Sequence, residues 1–336
     1  MESRFQIFKE RFPAAWDLLI LAVLTVASLI FVPLLISLFF NVAFDYSPDD
    51  LLKVNGAFDK ITEISIQKFS APDDAARYGH SIIPKYIADP SLVSKTMWFL
   101  VVSSNIPLLI TGIIFVFFFR RKDNTVFLLK GNKYSNYLQA IFAFFFALPF
   151  LSLVGQWNQG LHFPIEEIKN DMLYSEVKSG IIQQCFGDMH SIAELLMMIL
   201  FVGILTGIAE EFIFRVGLQN ILLKTEMNPH VAILVGAAIF SAVHFQFYGF
   251  FVRLILGMLL GYLYYWTRDI KTSIIAHAFN NSLAMIVAYN TGSLTENPSD
   301  EALGSFVPTA TIFTVFCGLA LYRIYQKSTE EEITTL

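Results

Sequence analysis

The amino-acid sequence predicts an all-α fold, a polytopic membrane helix bundle of about eight transmembrane helices. Three observations predict it: the overall composition, the number of long apolar runs, and the sign of the charge between those runs. Of 336 residues, 55% are hydrophobic and only 15% are charged. The mean hydropathy is +0.57. Soluble domains carry about 25% charged residues, so this chain has too little polar surface for an ordinary soluble fold and too much apolar content for a disordered one. A formal net charge of -5 also disfavours nucleic acid as a partner. The two cysteines, Cys185 and Cys317, lie far apart and suggest neither a disulfide framework nor a cysteine-based metal site.

A spanning helix needs about 20 mostly apolar residues, because the hydrocarbon core is about 30 Å thick and each residue rises about 1.5 Å. The helix also satisfies its own backbone hydrogen bonds where no water is present. Runs that meet this requirement are Ala15–Phe40, Met97–Phe119, Tyr137–Val154, Ser191–Leu222, Pro229–Phe247, Phe250–Trp266, Thr272–Tyr289 and Phe306–Tyr322. The first is too long for a signal-peptide core and no small-residue cleavage site follows it. Lys and Arg concentrate in cytoplasmic loops. Here they fall at Arg4, Lys9 and Arg11, between Arg120 and Lys133, at Arg268 and Lys271, and at Arg323 and Lys327. The alternate loops are acidic, with Asp45, Asp49, Asp50, Asp73 and Asp74, then Glu166, Glu167, Asp171 and Glu176, then Glu296, Asp300 and Glu301. Eight passes with both termini in the cytoplasm sort every loop, and the cell membrane is the expected location.

The segments Asn41–Thr96 and Gly155–His190 are long enough for helices of their own. Leu51, Leu52, Val54, Phe58 and Ile61 recur at roughly helical spacing, which predicts an amphipathic extracytoplasmic loop over 41–96. No internal repeat or soluble linker divides the chain, so 1–336 reads as one membrane domain.

An ionisable residue at bilayer depth costs about 2.5–3.5 kcal/mol on insertion scales, and such residues concentrate in the second half of this chain. The fourth run contains Glu210-Glu211-Phe-Ile-Phe-Arg215. Glu211 and Arg215 stand at i and i+4, on one face, and can pair. Glu210 is rotated by about 100° from Glu211 and faces another neighbour, which frees it to act as a general base. The fifth run carries Phe240-x-x-x-His244 and the seventh carries His277-x-x-x-Asn281. His277 and Asn281 share a helix face, and both can donate to an oxyanion. Taken singly, an intramembrane His or Asn is commonly interhelical glue and a Glu–Arg pair a structural bridge. Together, two Glu, an Arg, two His and an Asn on three helices point to one functional site, over 190–290. Gly203/Gly207 and Gly257/Gly261 have the small-xxx-small spacing of closely approaching helices. With a uniform rise of about 1.5 Å per residue, Glu210 stands roughly 18 Å from the cytoplasmic end of its helix, His277 and Asn281 roughly 8–14 Å, and His244 roughly 22 Å. The depths overlap only if a helix tilts or the fifth starts later.

These residues in this order resemble the CPBP family of intramembrane glutamic endopeptidases, which includes the CAAX prenyl protease and Abi-like proteins. Glu210-Glu211-x-x-x-Arg215 is similar to the first motif, Phe240-x-x-x-His244 to the second and His277-x-x-x-Asn281 to the third. The similarity covers about residues 200–290. It implies an eight-helix bundle with a polar intramembrane cavity and a metal-independent mechanism without a cofactor. In that mechanism Glu210 and His244 activate water, His277 and Asn281 stabilise the oxyanion, and Glu211 and Arg215 support them. Val216 follows the motif arginine where family members commonly carry glycine, and Gly217 stands one place later. The implied partners are membrane lipid and a membrane-associated protein or peptide substrate, of prenylated or leader type. Two other readings use the same residues: a zinc-dependent membrane protease, whose usual two-His, one-Glu ligand set is present without HExxH spacing, and a non-catalytic immunity or scaffold protein.

Overall fold

Proline opens five of the helices, where its missing N–H costs nothing and its fixed φ suits the first turn. The computed structural model describes residues 13–119, 134–161, 166–291 and 300–334. In chain order its helices are α1 (Pro13–Phe44), α2 (Pro48–Lys68), α3 (Pro72–Tyr86), α4 (Pro90–Ile114, continued by a π-helical turn over Phe115–Phe119), α5 (Tyr134–Gln159) and α6 (Glu166–Gly187). There follow α7 (Ile192–Leu223), α8 (Pro229–Ala242), α9 (Phe250–Thr267), α10 (Ile270–Thr291) and α11 (Asp300–Thr334). No strand occurs among the described residues. The fold is therefore the expected all-α membrane bundle. Arg4, Lys9, Arg11, the basic residues between Arg120 and Lys133, and Glu296, on which part of the orientation rests, lie outside the described residues.

Among the described residues, six helices are long and apolar enough to cross a membrane: α1, α4, α5, α7, α9 and the Val307–Ser328 stretch of α11. Two of the eight expected passes fall short, for different reasons. The run expected over Pro229–Phe247 ends as a helix at Ala242; its 14 residues reach about 21 Å at 1.5 Å per residue, less than the hydrocarbon thickness. The other, α10, is 22 residues long but carries Lys271, His277, Asn280, Asn281 and Asn290. Both lie against other helices, α8 on α9 and α10 on α5 and α7. Packing of this kind lets polar residues stand at membrane depth without facing lipid.

Small residues bring these helices together. A Cβ on Gly207 would stand 3.2 Å from the backbone nitrogen of Ala278, and one on Gly203 2.4 Å from Ser282 Oγ, so α7 crosses α10 at its glycine stripe. Gly257 and Gly261 press in the same way on Ala237 and Ile233 of α8. Between and beyond these contacts α7 is not a regular helix. It widens to π-helical turns over Ile199–Leu205 and Phe212–Gln219, on either side of an α-helical Thr206–Glu211. Extra residues per turn change both the rise and the facing of side chains, and such bulges recur at functional sites.

The amphipathic pattern over 41–96 becomes α2 and α3. A capping box, in which Ser47 and Asp50 each accept from the other's backbone N–H, starts α2. Val54, Phe58 and Ile61 are buried with Ala76, Ile83, Val177 and Ile181, so α2, α3 and α6 share a core, which Met97 of α4 also enters. Leu52 stays exposed. At the other edge of the bundle, the Ser28 and Thr111 hydroxyls join α1 to α4 by a buried hydrogen bond.

Overpacking a tight interface costs about 1–3 kcal/mol. Gly207→Val should therefore lower the thermal midpoint of the detergent-solubilised protein while leaving its helical circular dichroism intact; an unchanged midpoint would mean that α7 and α10 do not depend on this close approach.

Candidate active site

The centre of the site is a chain of three buried ionisable groups. Glu211 and Arg215 are both fully buried. Arg215 Nε donates to Glu211 Oε2 at 3.0 Å across one turn of α7. The other oxygen of the same carboxylate, Oε1, lies 3.0 Å from His277 Nδ1 on α10. Glu211 thus uses one oxygen for its own helix and one for the neighbour. Ser273, one turn before His277, also brings its hydroxyl to Glu211. The Phe240 ring lies 5.5 Å from the Arg215 guanidinium carbon, a cation–π contact, while the two terminal nitrogens of Arg215 have no hydrogen-bond partner among the described residues. A buried pair of this kind is weak support for stability in itself, because desolvation offsets the Coulomb attraction. Its effect is to orient: it fixes which way His277 faces.

With Nδ1 turned to Glu211, His277 presents Nε2 to Glu210, whose Oε2 is 3.5 Å away. On the other side, Glu210 Oε1 stands 4.0 Å from His244 Nε2. His244 lies past the end of α8, on the turn that leads to α9, and its Nδ1 is 2.9 Å from the Phe240 carbonyl. A carbonyl only accepts, so Nδ1 carries the proton, and in the neutral ring Nε2 is left as a lone pair facing Glu210. The Glu210 side chain keeps 13% of its exposure and His244 31%, against none for Glu211. The two adjacent glutamates therefore differ in surroundings: Glu211 is locked between two partners, and Glu210 faces two imidazoles at a partly open position.

Five of the six residues singled out from sequence, Glu210, Glu211, Arg215, His244 and His277, converge. The helix that leads to His244 starts at Pro229 and ends at Ala242, so His244 sits on a turn beyond it. Asn281 lies one turn beyond His277, but its amide is engaged elsewhere, donating to Val202 O at 3.4 Å and accepting from Asn280 at 3.2 Å. No hydrogen bond joins it to the other five among the described residues. Val216, at the position of departure, is fully buried with Val116, Tyr264 and Ile270, and Gly217 admits Leu21 of α1.

Two residues near the site went unread in the sequence. Ser273 completes a Ser273–His277–Asn281 stripe at i, i+4 and i+8, a pattern that helical spacing could have revealed. Arg253, in the first turn of α9, lies within electrostatic reach of Glu210 and of Glu176; an arginine at the edge of an apolar run reads as an interfacial charge.

Residues 192–283 match the family described as type II CAAX prenyl endopeptidase Rce1-like. The matched stretch is similar to that family and contains all six residues singled out from the sequence. No curated protein and no solved structure matches the chain. With six helices among the described residues long and apolar enough to cross a membrane, the chain is a multi-pass membrane protein, and its matched stretch is similar to a prenyl endopeptidase family.

Removing one partner of a buried ion pair costs about 3–5 kcal/mol. Arg215→Ala should accordingly destabilise the protein by that order in thermal or denaturant unfolding, and Glu211→Gln combined with Arg215→Met should cost less than Arg215→Ala alone. Equal losses would show that the pair carries no uncompensated charge.

Proposed function

We propose that the protein is an intramembrane glutamic endopeptidase that hydrolyses a peptide bond in a membrane-associated protein or peptide, of prenylated or leader type, without a metal ion or cofactor. The observation that carries this reading is the position of Glu210 between His244 Nε2 and His277 Nε2, at 4.0 and 3.5 Å.

A separation of 4.0 Å is too long for a direct hydrogen bond, yet one water at about 2.8 Å from each group fits between them. Glu210 and the lone pair of His244 both accept. A water between them therefore gives up both hydrogens and is left with its oxygen lone pairs free. As that oxygen bonds to the scissile carbonyl carbon, Glu210 takes the proton. The carbonyl oxygen becomes an oxyanion, which needs donors. His277 donates Nδ1–H to the ionised Glu211, so it can donate from Nε2 as well only as an imidazolium. The charges then balance in pairs: Glu211 with Arg215, and Glu210 with His277. When the tetrahedral intermediate collapses, the C–N bond breaks and Glu210 returns its proton to the leaving amine. Asn281 serves as the second oxyanion donor once substrate draws its amide from Val202 O. Glu211, Arg215 and Ser273 keep His277 oriented.

The low dielectric around α7, α8 and α10 strengthens each of these hydrogen bonds relative to water. By the loop charges, the protein resides in the cell membrane with both termini in the cytoplasm.

General-base and oxyanion contributions of this kind are each about 10²–10⁴-fold. With a fluorogenic peptide library and protein in detergent, Glu210→Gln should lose turnover by that factor and His277→Ala by about 10²-fold or more. Wild-type turnover should survive chelation. Full activity in Glu210→Gln would exclude it as the base, and loss on chelation restored by added zinc would move the same residues to a metal site.

A further inference from the structure

His244 is placed by a turn, not by a helix, and the turn does not hold its own shape. After α8 ends at Ala242, residues 243–249 reverse the chain before α9 begins at Phe250. Phe245, directly after His244, adopts a left-handed φ of 53°, a conformation that a non-glycine residue keeps only when its surroundings impose it. Its side chain is 83% exposed, so packing of the ring does not impose it.

Groups on both sides of the turn do. From within the bundle, Arg253 folds back from the first turn of α9. Its Nη1 donates to Gln246 Oε1 at 2.8 Å and its Nη2 donates to the Gln246 backbone carbonyl. The fork of a guanidinium suits two acceptors on one residue, one on the side chain and one on the main chain. Gly249 makes room for it, since a Cβ there would stand 2.5 Å from Nη1 and 2.9 Å from the guanidinium carbon. From the layer of α2, α3 and α6, Ser175 of α6 donates to the Phe245 carbonyl at 3.1 Å, and the next residue, Glu176, lies near the Tyr248 backbone. Glu176 is itself buried, which pushes its carboxyl above the ordinary glutamate range, and Arg253 is the nearest opposing charge. The same guanidinium feels Glu210. Arg253 therefore lies within electrostatic reach of both Glu210 and Glu176, and it grips the turn that carries His244.

We propose that Arg253 is a positioning residue for the hydrolysis: by clamping Gln246 in the space that Gly249 leaves open, it sets the distance between His244 and Glu210. This rests on the glutamic-peptidase reading above. Misplacement of a reacting group by about 1 Å can cost 10²-fold in rate, and a clamp two residues from His244 controls displacements of that size. The substrate's own contacts are untouched, so the loss falls on kcat.

The test compares steady-state peptide hydrolysis by the full-length protein in detergent for wild type, Arg253→Ala, Gly249→Ala, the double variant and Glu210→Gln, with thermal midpoints measured alongside. Gly249 has φ -106°, which alanine accepts, so Gly249→Ala displaces the guanidinium without removing it or straining the backbone. The expected result is a fall in kcat of about 10–100-fold for each single variant, with KM changed less than about twofold and no further fall in the double variant, because both act through one contact. If Arg253→Ala fails to fold, Gly249→Ala alone decides. Wild-type kcat in Gly249→Ala, or a purely additive double variant, overturns the inference while an inactive Glu210→Gln leaves the peptidase reading standing. Activity in Glu210→Gln overturns that reading and this inference with it.

Discussion

The arrangement depends on one buried carboxylate with two duties. Glu211 binds Arg215 on its own helix through Oε2 and His277 on the neighbouring helix through Oε1. An ionised carboxylate without partners would not persist in an interior of low dielectric, and neither would an unpaired guanidinium. Each therefore constrains the other, and together they constrain a third group that is free to take part in chemistry. Once His277 Nδ1 is committed to Glu211, Nε2 has a fixed direction, and Glu210 meets it because the residue after Glu210 is the one that is anchored.

The membrane explains why so much helix surrounds so few polar atoms. Hydrocarbon leaves backbone groups no external partner, and charged side chains none but one another. The apolar helices α1, α4, α5 and α9 provide the surroundings, and the glycine stripes of α7 and α9 let α10 and α8 approach closely enough for side chains of ordinary length to meet. A shorter helix has a use here. Because α8 stops at Ala242, the chain turns and delivers His244 from a loop, beside Glu210 and not stacked on a helix face. The layer of α2, α3 and α6 touches that turn through the Ser175 hydroxyl, which links the layer to the site by contact.

Much of this was legible in the sequence, and the rest was hidden for physical reasons. Charges within apolar runs have few explanations, so Glu210, Glu211, Arg215, His244 and His277 stood out, and five of the six chosen residues meet. The i, i+4 relation of Glu211 and Arg215 predicted their ion pair directly. The pass count was less legible because hydropathy registers apolarity, not exposure to lipid: α8 is apolar yet 14 residues long, and α10 is long yet polar on the face it buries. Depths inferred from a uniform rise missed the π-helical turns of α7, which no residue pattern announced. The core of α2, α3 and α6 appeared only as amphipathy, because the partners of Val54 and Phe58 come from Val177 and Ile181, more than a hundred residues away. Arg253 was passed over because its acceptors, on Gln246, are created by the turn itself.

The proposed hydrolysis requires that His244 hold its proton on Nδ1 and offer a bare Nε2 to the reacting water, while His277 carries protons on both nitrogens. Histidine nitrogen chemical shifts report this directly. The chain has 6 histidines, and difference spectra against His244→Gln and His277→Gln identify the two of interest in uniformly ¹⁵N-histidine-labelled protein in lipid at neutral pH. The account predicts a neutral Nδ1–H ring for His244 and an imidazolium for His277. A His244 protonated at Nε2, or a His277 with an unprotonated Nε2, would contradict it.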